Sequence, residues 1–385
     1  MKIPTLRDLN LKNQRVLMRV DFNVPLNDDG SILDDSRIRA ALPSIQYVIQ
    51  QRASLILMSH LGRPKGKKDP KSSLAPCAQR LSELLHKPVP LAPDCVGKEV
   101  ERIVHEMTPG SLLMLENVRF HIGEEEPDKE PGFVEALAKL GTLYINDAFG
   151  TAHRAHASTA TIARFFPHKA AMGFLMEKEV KELSSLLHSP QRPYFALIGG
   201  AKVSSKAGVI KQLLERLDAL FIGGAMAYPF FKAKNLSVGA SLCDDADIPL
   251  AKELLRSQKL HLPTDTLATK DGEIKTFSSG IPEGWEGMDI GPNTVREWKK
   301  IFSSAKTFFW NGPVGVYEKP PFDQGTKQIA EFLAGCGAKV VVGGGDSLAA
   351  IERFGLQDRF AHLSTGGGAS LEFLEFGHLP GIDAL

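Results

Sequence analysis

Short apolar runs alternate along this chain with segments of helical periodicity, and this alternation strongly constrains its fold. A run of three to five apolar residues suits a strand that is buried on both faces, as in parallel sheets. Strands are expected at 16–20, 55–58, 112–115, 143–145, 194–198, 219–222, 307–310 and 340–342, and helices at 36–50, 75–86, 133–140, 203–217, 228–233, 248–258 and 326–335. The pattern predicts an α/β fold with parallel sheets.

The length of the chain predicts two domains, because 385 residues exceed the size at which a single hydrophobic core stops growing. A charged, leucine-rich segment at 177–188 ends before Ser189-Pro190 and predicts a helix that joins the two domains. The expected organisation is an N-terminal lobe at 1–170, a joining helix at 171–190, a C-terminal lobe at 191–366 and a tail at 367–385. The tail is too small to be a domain, so it must dock on a folded lobe.

Charge and composition narrow the range of partners. The formal net charge is +1, so attraction for anions must come from local clusters, and nucleic acid is not expected as a partner. No apolar stretch reaches the ~20 residues of a membrane span, and the first residues lack an apolar signal segment. A cytoplasmic protein is therefore expected. The cysteines stand singly and predict reduced, structural thiols: Cys77, Cys95, Cys243 and Cys336.

Glycine-rich turns follow strands in the C-terminal half, at 199–200, 223–224, 343–345 and 366–368. In an open parallel sheet, ligands bind beyond the carboxyl ends of the strands, and glycine lets backbone N–H groups approach phosphate oxygens. One glycine pair can be purely structural, but four such turns favour an anion site. Neither a P-loop nor a dinucleotide fingerprint occurs here, so a nucleotide site must be of another design.

Lys202 and Lys206 are four residues apart around an expected helix start, close enough to serve one polyphosphate. The alternative is a pair of solvated surface lysines. Asp346 directly follows three glycines and is a candidate ligand for Mg²⁺ bound to phosphates. As a helix N-cap it would look the same in the sequence.

Polar residues follow the expected strands of the N-terminal half. Asp21 and Asn23 are two residues apart, so they lie on one side of an extended backbone and suit the hydroxyls of a small ligand; Asp21 could instead cap local N–H groups. Later strand ends deliver Arg63, Arg119 and Arg154, and the first helix begins near two more arginines, at 37 and 39. Each arginine alone could be a solvated surface group, but together they favour an anion site. Phosphoryl transfer between two anions is therefore the first hypothesis.

Two other patterns receive no functional role. His153 and His156 share a spacing that suits zinc, but no third ligand of suitable spacing is evident in the sequence. The acidic run at 124–128 is expected to be a solvated loop.

The chain closely resembles the phosphoglycerate kinase family over essentially its whole length. The matching segments are 19–25, 60–66, 116–125, 146–158, 199–206, 310–318, 343–347 and 364–370. The resemblance implies two Rossmann-like lobes with parallel sheets, joined by a hinge helix, with a C-terminal tail returning to the N-terminal lobe, in a monomer. It also implies ATP or ADP as substrate, with Mg²⁺.

By this resemblance, each lobe receives one set of site residues. Those expected to bind 3-phosphoglycerate are Asp21, Asn23, Arg37, His60, Arg63, Arg119 and Arg154, and those expected to bind nucleotide are Lys202, Lys206, Gly287, Asn311, Pro313, Glu318, Gly344, Gly345, Asp346 and Ser347. Asp346 is the expected metal ligand. The chain departs from the family pattern at Ser347, where threonine is usual, and at 375–378 in the tail.

The implied reaction is reversible transfer between the acyl phosphate of 1,3-bisphosphoglycerate and ADP. The leaving group is a carboxylate, which needs no protonation, so positioning and charge neutralisation must supply the catalysis. Arg37 and Lys202 are the expected catalytic residues. The rivals are a nicotinamide-dependent dehydrogenase, which would share strands and glycine turns but lacks its fingerprint here, and a binding protein that consumes no ATP.

Overall fold

The computed structural model describes residues 3–385, which form two compact units. The first unit comprises residues 3–181 and 378–385, and the second comprises Glu182–Gly377. The chain passes from the first unit to the second within one helix, Phe174–His188, and returns between Gly377 and His378. The predicted α/β fold with parallel sheets is confirmed.

The first unit is built on a five-stranded parallel sheet with the order β3-β2-β1-β4-β5. Its strands are β1 (Arg15–Arg19), β2 (Ser54–Met58), β3 (Leu112–Met114), β4 (Leu143–Asn146) and β5 (Ala170–Met172). Its helices are α1 (Ser36–Gln50), α2 (Ala75–Leu85), α3 (Lys98–His105), α4 (Gly132–Ala138) and α5 (Phe174–His188), with the last crossing into the second unit.

Helices cover both faces of this sheet, so its strands can be apolar throughout. Val16 and Met18 of β1 belong to one hydrophobic core, while Leu17 between them belongs to a second core. Alternation of side chains along a strand sends neighbouring residues to opposite faces, and both faces are buried. This arrangement leaves the ends of the strands as the places where polar side chains emerge.

The second unit contains a six-stranded parallel sheet, in the order β14-β13-β12-β6-β7-β8, and a three-stranded antiparallel sheet, in the order β10-β9-β11. The strands are β6 (Tyr194–Ile198), β7 (Ala219–Ile222), β8 (Leu260–His261), β9 (Thr266–Lys270), β10 (Glu273–Phe277), β11 (Glu286–Ile290), β12 (Thr307–Asn311), β13 (Lys339–Gly343) and β14 (His362–Leu363). The helices are α6 (Ala207–Arg216), α7 (Ala227–Ala233), α8 (Ile248–Leu254), α9 (Pro292–Phe302), α10 (Gln324–Leu333), α11 (Gly345–Arg353) and α12 (Gly368–Phe376).

The C-terminal tail divides between the units. The sequence placed the whole tail, 367–385, on the N-terminal lobe, but helix α12 packs against α6 of the second unit. Only the last residues, with helix α13 (Pro380–Asp383), belong to the first unit. There the amide of Gly381 donates to the carbonyl oxygen of Ala152 at 2.8 Å, and Asn146 Nδ2 donates to the carbonyl oxygen of Gly381 at 3.1 Å.

The start of helix α5 is held by a buried carboxylate. Asp147, directly after β4, accepts hydrogen bonds at Oδ1 from the amides of Leu175 (2.9 Å) and Met176 (3.1 Å). Gly173 makes room for it, because a Cβ there would lie 2.2 Å from Asp147 Oδ1. Burial raises the pKa of Asp147 to about 6. The end of β4 and the start of the helix that joins the units are therefore fixed to each other.

Among residues 3–385, no helix combines the length and the apolar content that crossing a bilayer requires.

Candidate functional site

In the first unit, the carboxyl ends of β1 and β2 bring three of the predicted residues together. Arg37 Nη1 donates to Asp21 Oδ2 at 2.5 Å, and Asp21 Oδ1 lies 3.9 Å from His60 Nδ1. Arg37 lies in the first turn of α1, and its side chain retains 35% of its exposure, so its guanidinium can also reach a ligand. Asp21 also accepts a weaker bond from the amide of Asn23, at 3.3 Å, so the capping alternative and the pairing with Arg37 both hold.

Arg19 was not among the predicted site residues, yet it organises this group. It is the last residue of β1 and only 1% exposed. Its Nε donates to Ser158 Oγ at 2.7 Å, its Nη1 donates to the carbonyl oxygen of Val20, and its Nη2 lies 3.1 Å from His60 Nδ1. Burial, together with the positive charge of Arg19, lowers the pKa of His60 well below its usual value, so the imidazole is neutral. The sequence feature that could have identified Arg19 is its charge within the apolar run 16–20.

A second group joins the loops after β1, β2 and β3. Asn23 Oδ1 accepts from the amide of Gly62 at 2.9 Å, and Arg119 Nη1 donates to the carbonyl oxygen of the same glycine at 2.9 Å. Arg119 is 6% exposed, and its Nη2 lies 3.2 Å from Glu125 Oε1. These contacts fix the loop that carries Arg63, whose own side chain is exposed.

Arg154 is the fourth predicted arginine, and it lies exposed in the loop after β4. Its Nε lies 3.3 Å from His153 Nε2. His156, in the same loop, is half-buried near Arg119 and Arg154. Burial and those two positive charges lower its pKa to about 3. The loop therefore combines exposed positive charge with a neutral imidazole.

The expectation that the acidic run at 124–128 is solvated was wrong for Glu124. Glu124 is fully buried, and its carboxylate accepts from both the amide and the hydroxyl of Ser158, at 2.9 and 2.7 Å. Burial raises its pKa, and the nearby charge of Arg19 acts in the opposite direction. Glu125 pairs with Arg119 as described above. Net local charge in the sequence could not distinguish these residues from the exposed Glu126 and Asp128.

In the second unit, the glycine-rich turns all follow the carboxyl ends of parallel strands, as predicted. Gly199 follows β6 and lies against the loop after β12, because a Cβ on it would be 2.1 Å from the carbonyl oxygen of Pro313. Gly344 follows β13 with φ of +94°, a conformation that favours glycine, and a Cβ there would lie 2.7 Å from Asn311 Nδ2. These glycines permit three loops to approach one another closely.

Lys206 is the central charged group of these loops. Its Nζ donates to the carbonyl oxygen of Gly199 at 2.7 Å and to Asn311 Oδ1 at 2.6 Å. Burial lowers the pKa of this ammonium to about 8, and Asp346 opposes the shift. Lys206 is the last residue of a 3-10 turn at 204–206. Helix α6 therefore begins at Ala207 and not at 203 as predicted.

Lys202 and Asp346 are both exposed. Lys202 Nζ lies 3.3 Å from Asp244 Oδ2, and 62% of its side chain is exposed. The alternative of two solvated lysines therefore describes Lys202, whereas the ammonium group of Lys206 is largely withdrawn from solvent. Asp346 lies in the first turn of α11, whose N-cap is Gly344 and whose capping position makes no side-chain hydrogen bond. The N-cap alternative for Asp346 is therefore wrong, and its carboxylate faces solvent. Gly345, which lies between Gly344 and Asp346 in the chain, is the first residue of α11.

The remaining predicted nucleotide residues lie in two further segments. Ser347 is buried, and its Oγ accepts from the amide of Gly312 at 2.6 Å, which ties the loop containing Asn311 and Pro313 to α11. Gly287, on β11, donates its amide to Ser241 Oγ at 2.8 Å, and a Cβ there would lie 2.3 Å from the hydroxyl of Tyr228. Glu318 is exposed beyond this loop.

Asp289 was also missed by the sequence analysis. It is 3% exposed on β11, and its carboxylate accepts from the amides of Gly325 (2.6 Å) and Ile290 (2.8 Å). Burial raises its pKa to about 8. It connects β11, which carries Gly287, to the first turn of α10. Neighbouring glycines at 315 and 325 leave the space for it.

Parallel α/β units with an arginine-rich set of strand ends in one and glycine-rich turns around a buried lysine in the other are typical of a phosphotransferase. The family model for phosphoglycerate kinase matches residues 6–377. The chain belongs to the phosphoglycerate kinase family.

Similar proteins cover nearly the whole chain. The phosphoglycerate kinases of Chlamydia trachomatis serovar L2 and Fervidobacterium nodosum are each 50% identical to it, over 99% of this chain and 98% of theirs. Among solved structures, phosphoglycerate kinase from Coxiella burnetii matches with a TM-score of 0.89 at 39% identity, covering 100% of this chain and 98% of that one. The enzyme from Pyrococcus horikoshii matches with a TM-score of 0.87 at 33% identity, with the same coverage.

Proposed function

We propose that this chain transfers a phosphoryl group reversibly between 1,3-bisphosphoglycerate and ADP, with the acid bound by the first unit and the nucleotide by the second. Family membership supports the reaction. The assignment of one ligand to each unit is supported by the separation of the two residue sets, which lie at the carboxyl ends of the parallel sheets except for Gly287 on the antiparallel strand β11.

In the first unit, the proposed ligand contacts are Asp21, Asn23, Arg37, His60, Arg63, Arg119 and Arg154. The carboxylate of Asp21 can accept from the hydroxyl of a glycerate. His60 Nδ1 accepts from Arg19, so the neutral imidazole carries its proton on Nε2 and can donate to the oxygen of that hydroxyl. Arginine suits the phosphate and carboxylate groups, since its planar fork binds both in a bidentate manner. Arg37 is the proposed neighbour of the reacting carboxyl group, because it combines partial exposure with a fixed hydrogen bond to Asp21.

In the second unit, the residues proposed to form the nucleotide site are Lys202, Lys206, Gly287, Asn311, Pro313, Glu318, Gly344, Gly345, Asp346 and Ser347. Lys206 and the backbone amides at the start of α11 suit phosphate oxygens. Gly287 has no side chain and lies on β11 against the hydroxyl of Tyr228, where it is proposed to flank the base. Ser347 supports the loop from beneath through its bond to Gly312, so this side chain acts by positioning.

Asp346 fits the divalent cation that the family implies. Its carboxylate is exposed at the first turn of α11, and Mg²⁺ in nucleotide sites is held by one or two carboxylates together with substrate phosphates. When bound there, Mg²⁺ would supply neutralisation of phosphate charge. No other carboxylate of the chain is assigned to the ion.

The proposed catalysis consists of positioning and charge stabilisation. A carboxylate leaves when the acyl phosphate reacts, so no side chain must donate a proton. Arg37 and Lys202 are the proposed catalytic residues, because both are cations whose side chains keep enough exposure, 35% and 62%, to reach the charge of the phosphoryl group in transfer. The reaction requires that the two loaded units meet, which we propose occurs by hinge bending that also excludes water.

The direct test is a coupled assay of ATP formation from ADP and 1,3-bisphosphoglycerate, with and without Mg²⁺. ATP formation that depends on Mg²⁺ supports the proposal. Binding of both ligands without ATP formation would instead indicate a binding protein, and hydride transfer to a nicotinamide would indicate the dehydrogenase. We further propose a cytoplasmic monomer, as family membership implies, without nucleic acid or membrane partners; the net charge of +1 argues against nucleic acid. Light scattering of the purified protein tests the monomer.

A further inference from the structure

A cluster of potential metal ligands lies in the first unit, apart from the residues assigned above. Asp94 and Cys95 lie in the turn that precedes α3, and His121 lies between the 3-10 turns at 118–120 and 122–124. One ligand atom from each of the three residues lies within 4.8 Å of the others. This cluster could not be predicted from the sequence, because Cys95 and His121 are far apart in the chain and show no metal-binding spacing.

The imidazole of His121 is oriented as a metal-binding histidine usually is. Its Nδ1 lies 3.0 Å from Glu130 Oε1, and its Nε2 faces Asp94 Oδ1 at 2.9 Å. In metal sites the histidine commonly donates its other ring N–H to a carboxylate, which fixes the tautomer and strengthens the ligand. Glu130 is itself held, since its Oε2 accepts from the amide of Gly123 at 3.0 Å. The ring also stacks on Phe133, with 4.9 Å between centroids.

We propose that Asp94, Cys95 and His121 form a binding site for a divalent transition metal of the zinc class. A carboxylate oxygen, a thiolate sulfur and an imidazole nitrogen are the ligand types that Zn²⁺ takes, at roughly 2.0–2.3 Å. Tetrahedral coordination then needs ligand atoms about 3.5 Å apart, so the side chains must move by little more than an ångström. Water would complete the coordination.

Burial and the nearby carboxylates of Asp94 and Glu124 raise the pKa of the Cys95 thiol, so the ion itself must displace the thiol proton. The thiol of Cys95 is fully buried, whereas the carboxylate of Asp94 and the ring of His121 keep 23% and 20% of their exposure, which leaves an entry path. Binding releases the thiol proton and any proton on His121 Nε2 to solvent, after which the two anionic ligands balance the charge of the ion. Lys68 Nζ, 2.7 Å from Asp94 Oδ2, can remain on the outer oxygen of that carboxylate.

The competing explanation is an ion pair only, in which a protonated His121 bridges Asp94 and Glu130. The experiment is titration of the reduced, full-length protein with Co²⁺, in the absence of nucleotide and phosphoglycerate, followed by displacement with Zn²⁺. The proposal predicts one cobalt per chain with a thiolate-to-cobalt charge-transfer band that Zn²⁺ removes. Because no substrate is present, the outcome is independent of the function proposed above. Absence of the band in the parent protein would overturn the site.

Variants identify the thiolate. Cys95→Ser is expected to abolish the charge-transfer band, while the matched variant Cys77→Ser, at another buried cysteine of the same unit, is expected to keep it. Glu130→Gln tests the same site without changing a ligand, and should weaken cobalt binding by about 10–100-fold. An unchanged band in Cys95→Ser, or unchanged affinity in Glu130→Gln, would contradict the proposal and leave the ion pair as the role of the cluster.

Discussion

The lowered pKa of Lys206 predicts that nucleotide binding takes up protons at mildly alkaline pH. Burial places this pKa at about 8, compared with an ordinary value of 10.5. A nucleotide phosphate beside the Nζ atom would favour the charged form and return the pKa toward its ordinary value. The difference of about 2.5 units corresponds to roughly 3 kcal/mol of coupling between the proton and the nucleotide, as an upper bound.

The expected proton uptake can be calculated from the titration of Lys206 alone. At pH 8 about half of the Lys206 side chains are neutral, so binding of ADP should take up about 0.5 proton, against about 0.1 proton at pH 7. Raising the pH from 7 to 9 should weaken ADP binding by about tenfold, because only the protonated fraction binds well. The phosphates of ADP contribute little, since their last pKa lies near 6.

Titration calorimetry in two buffers of different ionisation enthalpy measures this proton uptake. Lys206→Met is expected to abolish the uptake and the pH dependence, and to weaken ADP binding at pH 7. The matched control is Lys211→Met, at a more exposed lysine of α6 that pairs with Glu253 and should behave as the parent does. Proton uptake that is absent in the parent, or that persists in Lys206→Met, would refute the assignment of Lys206 to the nucleotide phosphates.

Three further substitutions test the role of Arg37, the close approach at Gly199 and the buried carboxyl group of Asp147. Arg37→Ala should lower kcat by on the order of 10²-fold or more. Arg39→Ala, at an exposed arginine paired with Asp35, should leave kcat nearly unchanged, and equal kcat values in the two variants would contradict the role of Arg37. Gly199→Ala should destabilise the second unit by about 1–3 kcal/mol through its contact with the next loop, and Gly368→Ala, which meets no atom within 4 Å, should not; equal denaturation curves would count against that close approach. The parent should lose stability as the pH rises from about 4 to 6, because the native Asp147 carboxyl keeps its proton up to a pKa of about 6 and the unfolded one loses it near 3.8. Asp147→Asn should flatten this fall and raise the free energy of unfolding at pH 7, measured with urea, by at most about 3 kcal/mol. An identical pH dependence in both proteins would refute the buried, protonated carboxyl.

The parallel sheets could be predicted from the sequence because their strands are buried on both faces and so are apolar throughout. Strands β6 and β7 have the predicted bounds, and helix α1 has them as well. The antiparallel strands β9 to β11 were not predicted, because their exposed residues, such as Lys275, interrupt the apolar pattern. The parallel strands β5, β8 and β14 were also not predicted, although β5 is buried, because runs of two or three residues carry little pattern. Local pattern therefore identifies longer buried strands better than short or exposed ones.

The strand-end residues could be located from the sequence, but their roles in the network could not. Glu124 lies in an acidic run that indicates solvent, yet its carboxylate is buried against Ser158. Lys206 and Asn311 are far apart in the chain, and only the adjacent positions of β6 and β12 in the sheet bring them to 2.6 Å. Burial and long-range contact decide which member of a polar segment is held inside, and neither can be observed in a single sequence.

If the first unit binds the acid and the second binds the nucleotide, a variant in one unit should change the affinity for one ligand only, which separate binding measurements can show. Calorimetry should find that Arg119→Ala, in the first unit, weakens 3-phosphoglycerate binding by at least about tenfold and leaves ADP affinity unchanged. Lys206→Met should do the reverse. If either variant weakens both ligands equally while its far-ultraviolet spectrum and melting temperature match those of the parent, the assignment of one ligand to each unit is contradicted.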